Sequence, residues 1–165
     1  PNIKTMSIDE LSNLELDKQV VFVVVSFYQK YGYNDISLAV RYLNELKHTT
    51  LVGTNEDVTY PTKKGVALAG TGSLINTVKV TLSKQKQMDT VFCGKPESVL
   101  FDVMKDMHQN MKPNKCIIFG DRINTDIQFG LNSGMKTCLV FTGITNKNDL
   151  ETSDIKPHYI MDSID

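Results

Sequence analysis

One stretch constrains this chain more than any other: Cys116-Ile117-Ile118-Phe119-Gly120-Asp121-Arg122-Ile123-Asn124-Thr125-Asp126-Ile127. Its four leading apolar residues make a run short enough for a buried strand. Gly120 breaks the run, and Asp121 stands at its C-terminal end. Asn124 or Thr125 can cap a helix that begins at Asp126. In open α/β sheets, ligands bind at the carboxyl ends of strands. A carboxylate there, with a second one turn into the helix, suits a hard cation such as Mg²⁺, which prefers oxygen ligands. The same residues also suit a purely structural turn. Asp121 would then satisfy turn amides, and Asp126 would sit favourably at a helix N-terminus.

The rest of the second half repeats the pattern. Thr90 to Cys93 reads as a short strand closed by Gly94-Lys95-Pro96, and Glu97 to Gln109 as a helix, since proline is tolerated in a first turn. Val99, Leu100, Val103, Met104 and Met107 would be its buried face. The helix after Asp126 should stop near Gly134, a left-handed cap. Thr137 to Phe141 and His158 to Met161 are further strands. Such alternation argues for parallel βαβ units.

The first half is looser. Ser7 and Glu10 form a capping-box signal for a helix over Ile8 to Leu14. Val20 to Phe27 is a continuous β-branched and aromatic run, as in a strand covered on both faces. Leu38, Ala39, Tyr42, Leu43 and Leu46 recur at helical spacing. Thr50 to Val52 is a short strand, and a loop runs from Gly53 through Tyr60-Pro61 to Gly65. Leu74, Val78 and Leu82 mark another helix, and Lys84 to Met88 reads as a polar linker. The polar stretch around Lys84 to Asp89 reads as the domain boundary, giving domains 1–87 and 88–165.

At 165 residues and a net charge of -1, the chain has no basic excess to suggest a nucleic-acid or membrane surface. The longest apolar run, Val20 to Phe27, is far short of the ~20 residues of a membrane span. Cys93, Cys116 and Cys138 lie in or beside apolar runs without a CxxC pair, which favours a reducing compartment such as the cytoplasm. The sequence opens on Pro1 with no signal-peptide pattern, as expected of a fragment, a processed product or part of a longer chain.

Three strand ends carry functional groups: Lys95, Asp121 and Thr142-Gly143. If their strands are parallel neighbours, a lysine, carboxylates and backbone amides share one rim. That set suits a phosphate and its magnesium, with the lysine as a point charge on phosphoryl oxygens. Gly70-Thr71-Gly72 lacks the spacing of a P-loop and reads better as a helix-entry turn. His48, His108 and His158 have no partner at catalytic or metal spacing.

Taken in order, Gly94-Lys95-Pro96, Gly120-Asp121-Arg122 with Thr125-Asp126-Ile127, Gly134-Met135-Lys136-Thr137 and Thr142-Gly143 resemble the haloacid dehalogenase superfamily of phosphatases. Upstream, Gly53-Thr54-Asn55 with Asp57, Tyr60-Pro61 and Ala69-Gly70-Thr71-Gly72-Ser73-Leu74 resemble its 4-nitrophenylphosphatase branch, with the phosphoglycolate and pyridoxal phosphate phosphatases. The resemblance implies a Rossmann-like parallel α/β sheet, present in part, under an α/β cap of the C2 type. It implies that Lys95 stabilises a phosphorylated nucleophile, that Asp121 is a Mg²⁺ ligand, and that Asp126 orients Lys95 or a metal-bound water. Residues up to about Gln87 would be the cap. Its loop Asn55 to Pro61 (Asn55, Asp57, Tyr60 and Pro61) would select a small-molecule phosphate ester, and a homodimer through the cap is one implied arrangement.

The family's nucleophile is the first aspartate of an Asp-x-Asp-Gly motif after an N-terminal apolar strand, and the second aspartate is its general acid. The sequence contains no Asp-x-Asp, and Val20 to Phe27 ends in Ser26-Phe27-Tyr28. The chain thus resembles the cap plus the C-terminal half of the catalytic core, with the nucleophile segment missing. The expected activity is Mg²⁺-dependent phosphomonoester hydrolysis by the intact protein, with this chain alone inactive. The alternative is a non-catalytic module for dimerisation or phospho-ligand binding.

Overall fold

The computed structural model describes residues 3–62 and 65–165. Lys63 and Lys64, inside the loop expected between Pro61 and Gly65, lie outside the described residues, as do Pro1 and Asn2. The chain divides into two compact units, Pro1–Phe92 and Cys93–Asp165. Both are mixed α/β with parallel sheets.

The first unit runs α1 (Ile8–Asn13), β1 (Phe22–Val25), α2 (Tyr33–Glu45), β2 (Thr50–Gly53), β3 (Thr59–Pro61), β4 (Ala67–Ala69), α3 (Thr71–Lys79), α4 (Lys84–Met88) and β5 (Val91–Phe92). Ser7 and Glu10 close the expected capping box on α1. Strands β1, β2 and β5 make a parallel sheet in that order. Val25, Leu51, Leu43 of α2, and Ile75 and Val78 of α3 form its core.

Four expectations change here. The β1 strand is covered on one face only: Val23 and Val25 point into the core, while Phe22 and Val24 are 59% and 62% exposed. A continuous apolar run does not report how many faces are covered. The loop read through Tyr60-Pro61 contains an antiparallel hairpin, with Tyr60 opposite Leu68. The polar stretch Lys84–Met88 is a short helix, because Ser83 caps it and Lys86 donates to the carbonyls of Leu43, Leu46 and Thr49. Finally, β5 pairs with β2, so the strand before Lys95 belongs to the three-stranded sheet of this unit.

The second unit runs α5 (Val99–Met107), β6 (Ile117–Gly120), a wide π-helical turn (Ile123–Ile127) leading into α6 (Gln128–Asn132), β7 (Lys136–Val140), α7 (Lys147–Thr152) and β8 (Tyr159–Met161). The sheet order is β6-β7-β8, all parallel, with Gly120 opposite Leu139. As the central strand, β7 buries Thr137 through Val140. Gly134, at φ +70°, ends α6, a conformation that glycine adopts without a Cβ penalty.

Of the face assigned to α5, only Met104 packs into the core. Phe101 is buried and Met104 packs beside it against Phe129 and Met135, while Val99, Leu100, Val103 and Met107 are exposed. Asp102, Lys105 and Asp106 mark the polar side, and the core contact lies at one edge of the apolar arc, which periodicity alone does not single out.

Candidate active site

The site in the second unit is built on the turn after β6. Here the backbone does not start an ordinary α-helix. The carbonyl of Arg122 accepts from the N–H groups of both Asp126 and Ile127, at 3.0 and 3.2 Å. The wide turn brings the Asp126 side chain back over its own start. Its Oδ2 accepts from the N–H of Asp121 at 3.2 Å and of Arg122 at 3.1 Å. The cap of the turn is therefore Asp126 itself, and neither Asn124 nor Thr125 serves that purpose.

Oδ1 of Asp126 receives the ammonium of Lys95. Both oxygens of this buried carboxylate are thus engaged, as a buried charge requires. Lys95 reaches it from the Gly94–Pro96 turn rather than from a strand of the same sheet.

Asp121 is held differently. Its carbonyl accepts from Thr145 N–H at 3.0 Å, and its carboxylate Oδ2 accepts from Ile144 N–H at 2.8 Å. A Cβ on Gly143 would fall on that carboxylate, so the absence of a side chain there makes the approach possible. The loop after β7 therefore grips Asp121 by main chain and side chain together.

The donor chemistry separates the two acids. Asp126 is committed to three internal donors, whereas Asp121 keeps Oδ1 outside its bond to Ile144. Among the described residues no group of three or more His, Cys, Asp or Glu side chains could hold a metal ion. One carboxylate oxygen fits a cation that keeps several waters and takes phosphate oxygens, as Mg²⁺ does, and does not fit an all-protein cage.

The residues expected to select the ester lie in the first unit. Asn55 shapes its own loop: Oδ1 accepts from Asp57 N–H at 3.1 Å and Nδ2 donates to Thr71 Oγ1 at 3.3 Å. Tyr60 meets Phe27 edge to face, with ring centroids 5.3 Å apart. Phe27, Gln29, Asn55, Asp57, Tyr60 and Thr71 line one open concavity. Pro61 ends β3 and does not line it. Sequence reasoning missed Phe27, Gln29 and Ile144. Only Phe27 had a signal, its place at the end of an apolar run. Gly70 precedes the first turn of α3, as expected of a helix-entry turn.

Residues 92–165 match a hydrolase-like family described as HAD-hydrolase-like, a span that begins one residue before the second unit. Among curated proteins the chain is 33% identical to human glycerol-3-phosphate phosphatase, over 90% of this chain and 47% of that one. It is 29% identical to an acid sugar phosphatase of Staphylococcus epidermidis, over 95% and 58%. The chain thus resembles the haloacid dehalogenase superfamily. Among solved structures, a 4-nitrophenylphosphatase from Thermotoga maritima superposes with a TM-score of 0.75 at 27% identity, covering 90% of this chain and 54% of that one. The relatives named are phosphatases, and the parallel α/β architecture of the chain is that of haloacid dehalogenase phosphatases. It spans about half the length of the relatives it matches. No described helix is long and apolar enough to cross a membrane.

Proposed function

We propose that this chain forms part of a Mg²⁺-dependent phosphomonoesterase that works through an aspartyl-phosphate. The observation that carries the reading is the arrangement of Lys95, Asp126 and Asp121 around one turn, inside the segment that matches the hydrolase family. Lys95 contacts phosphoryl oxygens and offsets their negative charge, and Asp126 keeps its ammonium in place. Asp121 offers its free oxygen to Mg²⁺, which supplies charge neutralisation at the phosphoryl group. The nucleophile is an aspartate carboxylate from a segment other than these 165 residues. Its oxygen bonds to phosphorus as the ester P–O bond breaks, and the leaving alcohol takes its proton from the second aspartate of that same segment, the general acid. Water then releases inorganic phosphate.

Residues 1–87 act as the cap and 88–165 as the C-terminal half of the core. Asn55, Asp57 and Tyr60, which line the concavity, take part in choosing the ester, and Pro61 ends the strand that carries Tyr60. The relatives' names point to small polyol and sugar phosphates as well as 4-nitrophenyl phosphate. The reading extends to a cytoplasmic protein that pairs through its cap.

The test uses the full natural protein with 4-nitrophenyl phosphate. Hydrolysis should require Mg²⁺, stop with excess EDTA, and fall at least about 100-fold in Asp121→Ala, the order seen when one electrostatic stabiliser is removed. Metal-dependent hydrolysis that survives Asp121→Ala overturns the role given to this residue. No hydrolysis of any phosphate ester by the full natural protein favours a non-catalytic module.

A further inference from the structure

The segment 123–132 holds the Lys95 turn at a second point. The Nδ2 of Asn132, the last residue of α6, donates to the carbonyl of Pro96 at 2.8 Å. Its Oδ1 accepts from Gln128 Nε2 one helical turn earlier, at 2.6 Å. That second bond fixes the amide so that its N–H faces Pro96. Meanwhile the ammonium of Lys95 is held by Asp126 at the start of the same helical segment. One rigid element thus grips both the backbone beside Lys95 and the tip of its side chain.

We propose that Asn132 is a positioning residue for Lys95. The lysine stem has four rotatable carbons, so the ammonium alone does not fix where its backbone sits. The turn itself carries one internal bond, from Glu97 N–H to the Gly94 carbonyl at 3.1 Å. Asn132 ties that turn to α6 and removes the remaining freedom. A small misplacement of a catalytic group lowers turnover far more than it lowers stability. The proposal rests on the phosphatase reading of Lys95 given above.

The test compares Asn132→Ala, Asn132→Asp and Lys95→Ala in the full natural protein. Asn132→Asp preserves size and the acceptor for Gln128 but loses the donor toward Pro96. Both Asn132 variants should lower kcat for 4-nitrophenyl phosphate on the order of 10-fold, with KM changed less than about 2-fold. Their Tm should stay within about 2 °C of the parent, since this bond is exposed. Amide hydrogen exchange at Glu97 should quicken in both. Full kcat in Asn132→Asp, or unchanged exchange at Glu97, overturns the proposal, as does a kcat loss that only tracks a fall in Tm. Unchanged turnover in Lys95→Ala refutes the phosphatase role of the lysine instead, while the Glu97 exchange still reports on the Asn132 bond.

Discussion

Lys95 and Asp126, 31 residues apart in sequence, form an ion pair whose two ends live in different surroundings. The Asp126 side chain is 7% exposed and the Lys95 side chain 45%. Asp126 also accepts two main-chain N–H groups, so removing it strands three donors, whereas removing Lys95 leaves the carboxylate with two. The effects on stability should therefore be unequal. Asp126→Ala should destabilise by about 2–4 kcal/mol, the range for orphaned buried donors. Lys95→Ala should change stability by about 1 kcal/mol or less, because solvent screens a half-exposed ammonium. Both should abolish turnover. Urea unfolding of the two variants, with phosphatase assays in parallel, checks this, and equal destabilisation would contradict the asymmetry.

Gly143 and Asp121 give a second prediction. A methyl group on Gly143 would overlap the Asp121 carboxylate. The carboxylate must swing out and surrender its bond to Ile144 N–H. Gly143→Ala should therefore raise the Mg²⁺ concentration for half-maximal activity about 10-fold. It should also lower stability by about 1–3 kcal/mol, as for other overpacked sites. A Mg²⁺ titration of activity measures the first effect and thermal unfolding the second. An unchanged Mg²⁺ requirement would mean that Asp121 is not oriented by this loop.

These relationships show where the sequence was legible. Short apolar runs ending in glycine, at Ile117–Gly120 and Thr50–Gly53, became parallel strands, but Ile117 and Phe119 are exposed, so run length and a breaker mark the strand and not its burial. Ser7 with Glu10 became a capping box, because that motif is closed within four residues. What stayed hidden depends on distant partners. Nothing near Val91 says that it pairs with β2. Nothing near Phe101 says that this residue, rather than Val99 or Val103, faces the core. Asp126 was legible as an acid near a helix start. That it reaches back to its own turn follows from the wide five-residue geometry, which no residue pattern announces. Ile144 and Asn132 act through main-chain contacts, Ile144 as an N–H donor and Asn132 on a carbonyl, and residue type is silent about such contacts.

In the first unit, Tyr60 closes one side of the concavity by packing edge to face on Phe27, with the ring planes 89° apart. Such a pair contributes about 0.5–1.5 kcal/mol beyond area burial. If this surface selects the ester, Tyr60→Ala should raise KM several-fold with little change in kcat, since it removes binding common to ground and transition states. Steady-state kinetics on 4-nitrophenyl phosphate and glycerol 3-phosphate should show unequal KM changes for the two esters. A kcat loss with constant KM would assign Tyr60 to the chemistry instead.

The start of α1 gives a pH-dependent prediction that does not involve the active site. Ser7 N–H and Ser7 Oγ both bond to Glu10, at 2.8 and 2.9 Å. The backbone bond, followed by the hydroxyl, holds the Glu10 carboxyl below its ordinary value. In the unfolded chain both bonds are gone, so Glu10 binds its proton more readily there. The stabilisation of α1 is therefore complete above the ordinary glutamate value. It is lost as pH falls through the lower folded value. Ser7→Ala removes the hydroxyl but leaves the backbone donor. It should move the Glu10 titration upward without restoring it fully, and α1 should fray at higher pH than in the parent. An NMR titration of the Glu10 side chain reads both effects. Superimposable titrations in parent and Ser7→Ala would show that the hydroxyl plays no part in the cap.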